Sequence, residues 1–393
     1  MEQKNMRSPV SGRVLTDWLY SKASRMQIPL SGTFELSPVC NFACRMCYVR
    51  KTRKEVSESP RPILTLEDWR RIAREARDSG MLYLLLTGGE PLLWPDFWTL
   101  YEELVDMGFL VSINTNGSLI DDAAVVRFKK RPPQKISITL YGASDATYKR
   151  LCGGADGVFS KVEHAICALT ESGIDVKLNC SLTPENEGDL EWIVDFAKAH
   201  KMPLAATAYM FPPVRRDPTM VGQNQRFTPE EAASAIMRYL RRDRSPEAYN
   251  GYLRRMRSGC VEPPGLDESC VDPVDGQIRC RAGKAAFWIT WDGWMTPCGM
   301  MPEPKIDLQE TAFSDAWKQV VAASSALRLS GVCDKCENRN ICHPCAAMAY
   351  AETGSAEGIP TYKCYITREL CRIARETLAC EDITENPAEM ANI

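Results

Sequence analysis

Along the first half of the chain, short apolar runs alternate with stretches in which apolar residues recur every three or four positions. That alternation predicts strands separated by amphipathic helices. Thr33–Ser37 reads as a strand that delivers Cys40 into a loop, and Leu64–Ser79 as a helix opened by Thr65 and Asp68 in N-cap spacing. The compact run Met81–Leu86 ends in Thr87-Gly88-Gly89-Glu90-Pro91. Helix Phe97–Met107, strand Phe109–Asn114, helix Asp121–Lys130 and strand Lys135–Leu140 follow. Helix Val158–Ser172, strand Ile174–Leu182, helix Leu190–His200 and a run at Leu204–Tyr209 complete the series. Strands alternating with helices imply an α/β fold with parallel pairing through right-handed crossovers, and functional residues on the loops after the strands.

The pattern then changes. Phe211–Arg226, rich in Pro, Arg and Gly, reads as a linker or active-site loop. Thr228–Tyr239 and Pro246–Ser258 read as helices polar enough to be surface elements. Phe287–Trp291, the Asp292-Gly293 turn and Met295–Pro297 predict a hairpin that brings Cys280 and Cys298 together. The expected organisation is an N-terminal extension (1–30), an α/β region (31–210), a helical bridge (211–259), a cysteine-rich domain (260–380) and a frayed tail (381–393).

With 393 residues, 45% of them hydrophobic, the chain can bury a core and support more than one domain. A net charge of −3 gives no electrostatic case for nucleic acid or an anionic membrane. No signal-peptide core or membrane-length apolar run occurs, which points to a cytoplasmic protein. The only histidines, His164, His200 and His343, are too few for a histidine-based metal site or acid–base centre. Seventeen cysteines in a long chain without a signal peptide favour metal binding over disulfides.

Cys40, Cys44 and Cys47 stand in CX3CX2C spacing. A four-iron cube takes four thiolates, so three leave one iron open to bind and reduce a substrate. Three loop thiols, or part of a zinc site, are the competing readings. The spacing resembles the signature of radical S-adenosylmethionine (SAM) enzymes, whose barrel is a partial (β/α)6 fold. The resemblance implies that the open iron chelates SAM, and that an electron cleaves SAM to a 5′-deoxyadenosyl radical that abstracts hydrogen. Gly88, Gly89 and Glu90 then correspond to the motif that binds the SAM amino group; glycines after a strand let backbone approach a ligand, although a plain strand-to-helix turn looks the same. Met46 stands where the family usually has an aromatic residue beside the adenine, and its thioether is a soft apolar contact. Tyr48 either stacks nearby or packs in the barrel. By family position Asn116, after the third strand, and Thr139 are candidates to touch SAM. Asn179 and Ser181 share one side of their strand and are further candidates.

A second set of cysteines follows. Cys280, Gly293 and Cys298, then Cys333-X2-Cys336-X5-Cys342-X2-Cys345 and Cys364, resemble the SPASM domain, departing from it in the X2 before Cys345. CX2CX5CX2C alone reads as a zinc knuckle, but one zinc leaves the flanking cysteines and the upstream triad unexplained. The resemblance pairs Cys333, Cys336, Cys342 and Cys364 on one auxiliary [4Fe–4S] cluster, and Cys280, Cys298 and Cys345 on another. With the SAM-binding cluster that makes three cubes. The second auxiliary cube lacks a fourth thiolate, for which Cys270 is the nearer candidate and Cys260 the other; an open iron is the alternative. Cys167 and Cys371 fall in helical patterns and are expected to be buried apolar residues.

Thr139–Ser144 and Glu352-Thr353-Gly354 look most like maturases of ribosomally made peptides, which form thioether or carbon–carbon crosslinks or epimerise residues. The resemblance thus implies a precursor peptide as substrate and an electron donor such as flavodoxin or ferredoxin. The 39 residues before Cys40 are too few for a leader-binding winged helix, which either weakens the case for a leader peptide or implies a separate leader-recognition protein. Sulfatase-maturating oxidation of a protein Cys or Ser, and modification of a haem precursor, are the alternatives. An electron-transfer scaffold would not need Gly88-Gly89-Glu90 beside an open cluster.

Overall fold

A computed structural model describes residues 12–258 and 280–385. Cys260 and Cys270, and most of the expected tail, lie outside the described residues. The N-terminal segment, read from sequence as an extension, contains helix α1 (Gly12–Met26). Its Leu19, Tyr20 and Ala23 pack with Leu30 and Ala285 beneath the sheet.

Six parallel strands follow one another in space in chain order: β1 (Ser31–Glu35), β2 (Tyr83–Thr87), β3 (Leu110–Thr115), β4 (Lys135–Thr139), β5 (Val176–Ser181) and β6 (Leu204–Thr207). Helices α2 (Arg53–Ser57) and α3 (Leu66–Asp78) connect β1 to β2; α4 (Phe97–Asp106) and α5 (Asp122–Lys130) make the next two crossovers. Helices α6 (Asp145–Cys152) and α7 (Val158–Glu171) precede β5, and α8 (Leu190–Ala199) precedes β6. This is the expected partial (β/α)6 arrangement. Thr65 caps α3 by accepting from the Asp68 amide, and the Asp68 carboxylate returns to the Thr65 amide. One face of α3, Trp69, Ile72, Ala73 and Ala76, is buried, with the Trp69 ring stacked on Phe34 of β1 at 4.8 Å.

The hairpin expected in the cysteine-rich region forms from β7 (Ala286–Ile289) and β8 (Trp294–Thr296), with β9 (Ile306–Asp307) beside it. Its first strand does more than the sequence suggested: β7 pairs parallel with the free edge of β1, Ser31 opposite Ala286 and Phe34 opposite Ile289. One nine-stranded sheet, β6-β5-β4-β3-β2-β1-β7-β8-β9, therefore spans both regions.

Helices α9 (Pro229–Asp243) and α10 (Pro246–Ser258) are not the surface elements their polarity suggested. Ala232, Ala233, Ala235, Met237 and Leu240 of α9, and Leu253 and Met256 of α10, are buried, and both helices pack on the last helix, α15 (Thr361–Glu385). That helix runs on into the expected tail. Between β9 and α15 lie α11 (Phe313–Ala326), α12 (Gly331–Asp334), α13 (Arg339–Cys342) and α14 (Ala346–Thr353). Among the described residues no helix is long and apolar enough to cross a membrane.

The 211–226 loop is anchored to α14 by a buried ion pair. Both terminal nitrogens of Arg226 donate to Glu352 (2.6 and 3.0 Å), the Tyr209 hydroxyl donates to the same carboxylate (2.8 Å), and the guanidinium lies 3.6 Å from the Tyr362 ring centroid. Removing one partner strands a buried charge, whereas replacing both with apolar groups can be neutral. E352M or R226M should therefore cost about 3–5 kcal/mol, and E352M/R226M less than either, read from the midpoint of chemical denaturation.

Candidate functional site

Thr87, Thr115, Thr139, Ser181 and Thr207 are the last residues of β2 to β6, and all five line one cavity of about 380 Å³ at the C-terminal ends of the strands. Sequence reading found Thr139 and Ser181 of this hydroxyl set and missed the others; the recurring signal was a Ser or Thr closing each strand. Cys40, Cys44 and Cys47 line the same cavity, as do Tyr209, Met210, Phe211, Met300 and Met348. Among the described residues, Arg50 is the only Lys, Arg, Asp or Glu in the lining.

The cysteine loop is held from below by α6, a helix not expected from the sequence. The Ala43 amide donates to the Cys152 carbonyl (2.6 Å) and the Arg45 amide to the Leu151 carbonyl (3.3 Å). Ser144 caps α6 by accepting from the Thr147 amide, and Gly153 ends it at φ +62°; both signals were present in the sequence. Phe42 packs edge-on against Tyr141 and Tyr148. The Cys40 sulfur accepts from the Phe42 amide (3.3 Å) and the Cys47 sulfur from the Arg50 amide (3.4 Å).

Gly88 and Gly89 serve a purpose beyond the ligand approach expected of them. The Gly89 and Glu90 amides donate to the Ser37 and Val39 carbonyls (2.7 and 2.9 Å), joining this turn to the segment that leads into Cys40. A Cβ on Gly88 would sit 2.4 Å from the Ser37 carbonyl oxygen, and one on Gly89 2.5 Å from that of Val39. The absent side chains are thus required by backbone packing, while both glycines still line the cavity.

Glu90 is fully buried. Its carboxylate accepts from the Thr115 hydroxyl (2.8 Å), the Asn116 amide (2.8 Å) and the Leu92 amide (3.2 Å). Burial pushes its pKa up to about 7 and these bonds oppose the rise. Asn116 connects this carboxylate to the cysteine loop, since its side-chain amide donates to Asn41 (2.9 Å) and lies 3.7 Å from the Cys40 sulfur. Met46 and Asn116 line the cavity; Asn179, opposite Thr139 on β5, is not among its lining residues.

Seven further cysteines fall into two groups. Cys280, Cys298 and Cys345 line a narrow space of about 20 Å³ beside Met301, Ala346 and Ala347. Cys333, Cys336, Cys342 and Cys364 line another of about 260 Å³. The latter opens at the surface, where Cys336 is exposed and Val332 and Tyr365 are 64% and 52% exposed. Burial raises the Cys298 and Cys364 thiols to about 11. Among the described residues no group of three or more His, Cys, Asp and Glu side chains is closed around a single-ion position. Cys152, Cys180 and Cys371 are buried, whereas Cys167, expected to be buried, is partly exposed on α7.

Residues 34–197 match the radical SAM superfamily. The chain is 24% identical over 336 residues to an AdoMet-dependent heme synthase of Methanosarcina barkeri, covering 82% of this chain and 92% of that protein. It is 30% identical over 274 residues to a probable GTP 3′,8-cyclase of Saccharolobus islandicus, covering 70% of this chain and 83% of that one. Streptococcus suis SuiB bound to its precursor peptide SuiA shares the fold with a TM-score of 0.64 at 18% identity, over 93% of this chain and 83% of SuiB. Strand order, a cysteine triad beside the strand ends and these similarities converge: the chain belongs to the radical SAM superfamily.

Proposed function

We propose that this iron–sulfur enzyme acts on a peptide, oxidising, crosslinking or epimerising a residue after hydrogen abstraction, and that its cysteine-rich region is a SPASM domain with two auxiliary [4Fe–4S] clusters. The observation that carries the reading is the make-up of the main cavity. At about 380 Å³ it lies near the lower end of the range for small-molecule pockets. Its outer wall of Tyr209, Met210, Phe211, Met300 and Met348 offers apolar, adaptable contacts. Among the described residues, a second ligand bearing several carboxylates would find only Arg50 to pair with inside.

In this reading Cys40, Cys44 and Cys47 hold the SAM-binding cluster, and the amide-to-sulfur hydrogen bonds from Phe42 and Arg50 suit thiolate acceptors. When bound, the cluster and SAM supply one-electron reduction and hydrogen abstraction. Glu90 supplies a buried carboxylate for the SAM amino group, beside the backbone of Gly88 and Gly89. Met46, Asn116, Thr139 and Ser181 complete the SAM contacts, while Asn179, two residues before Ser181 on β5, stands outside the cavity lining. Cys333, Cys336, Cys342 and Cys364 form a complete thiolate set with room for a cube. Cys280, Cys298 and Cys345 converge on a tighter space, and Cys270 supplies their fourth thiolate. Clusters held by these cysteines would supply a one-electron acceptor or relay for the substrate's oxidation. A peptide bound in SuiB supports the peptide assignment by analogy of fold.

Oxidation of a haem precursor is the second reading, favoured by the near full-length similarity to heme synthases. Incubating reconstituted protein, SAM and reductant with candidate precursor peptides or with a carboxylated tetrapyrrole separates the two. A peptide that loses hydrogen or gains a crosslink by mass spectrometry supports the first. Turnover of the tetrapyrrole alone overturns it.

Reconstituted protein should carry about twelve irons, and the C40A/C44A/C47A variant about eight, with production of 5′-deoxyadenosine abolished. Glu90→Gln should weaken SAM binding about ten- to a hundredfold, the loss of one charge-assisted hydrogen bond, with iron content unchanged, as measured by equilibrium dialysis. Cys270→Ala should alter one auxiliary signal in electron paramagnetic resonance and spare that of the SAM cluster. An unaltered spectrum would favour an open iron or Cys260.

A further inference from the structure

A buried ion pair that none of the chemistry above uses lies between the first two cysteine groups. Glu35, the last residue of β1, is fully buried, and both terminal nitrogens of Arg215 donate to it at 3.0 and 3.1 Å. Trp288 of β7 donates its indole N–H to the same carboxylate at 2.8 Å. The guanidinium reaches in two further directions. It donates to the carbonyl of Gly299, the residue after Cys298, at 2.7 Å. It also lies 5.9 Å from the ring centroid of Tyr48, the residue after Cys47. Gly299 has no room for a side chain, because a Cβ would stand 2.8 Å from the Trp288 indole. One cation thus touches the neighbour of a thiol in each group.

Holding two segments together does not by itself call for ions. A hydrophobic replacement of a buried pair is often as stable or more so, and arginine cannot shed its charge in a protein. A buried charge is also little screened by salt, so it acts on whatever changes charge beside it. Reduction of an iron–sulfur cluster adds one negative charge, and cluster potentials respond to local net charge.

We propose that Arg215, balanced by Glu35, is a positioning residue common to the Cys40–Cys47 and Cys280–Cys298–Cys345 groups, holding both at a fixed spacing and setting together how readily their clusters take an electron. The inference rests on the cluster assignments above.

The test is a redox titration of the reconstituted full-length protein followed by electron paramagnetic resonance, with iron counted on the same samples. Glu35→Gln leaves the cation unbalanced. It should raise the reduced-to-oxidised ratio of both clusters about tenfold at fixed potential, equivalent to about 59 mV for one electron. E35Q/R215Q removes both charges and should return both ratios close to wild type. The Cys333–Cys364 group lines a separate cavity and should stay put throughout, as an internal reference. If E35Q does not fold, Glu35→Asp, which loosens the same pair, should give a smaller shift of the same sign. Two results would overturn the proposal: both clusters unmoved in E35Q and E35D, or E35Q/R215Q displaced as far as E35Q, the mark of a purely structural role. A wild-type protein with only about four irons would instead refute the underlying assignment of auxiliary clusters.

Discussion

The structure depends on β1 being hydrogen-bonded along both edges, to β2 on one side and to β7 on the other. The segment that leaves β1 runs past Gly88 and Gly89 into the first cysteine loop, and the hairpin begun by β7 leads to Cys298. The register of one five-residue strand therefore fixes two groups of thiols that are about 250 positions apart in sequence. A slip of one residue would exchange the two faces of the strand. Phe34 would leave the Trp69 ring, and Glu35 would leave the guanidinium that pairs with it.

Beside that strand the described lining of the cavity mixes hydroxyl groups with apolar side chains and carries almost no charge. Hydroxyl groups close five successive strands, and Glu90, which is fully buried and not part of the lining, is satisfied by two amides and a hydroxyl. Buried ions are costly unless paired. A site that keeps few of its own retains its electrostatic contrast for a cofactor that brings charge with it.

The sequence made much of this legible, for reasons that differ from element to element. The six strands and their main helices showed in the apolar periodicity because each packs against near neighbours along the chain. Helix α6 escaped notice because it is short, although Ser144 and Gly153 bracket it with good capping signals. The buried faces of α9 and α10 were misjudged because alanine carries much of that of α9, and their partner α15 lies more than a hundred residues further on. Pairing of β1 with β7 has no local signature at all. The resemblance to the SPASM domain implied the same two sets of cysteines that line the two smaller spaces. It could not reveal that the two glycines are needed for backbone contact with Ser37 and Val39, or that Asn116 bridges a carboxylate and a thiol.

The three cysteine groups also differ in how much of the chain must be in place before each one exists. Cys40, Cys44 and Cys47 fall within eight residues, so closing that loop is a local event with a small entropic cost. The surface group gains Cys364 only from α15, and α15 is held where it is by packing across α9 and α10. Contacts of such long sequence separation form late and slowly. Completion of that four-thiol group therefore follows tertiary docking, whereas the three thiols of the first triad are brought near one another by their own short loop.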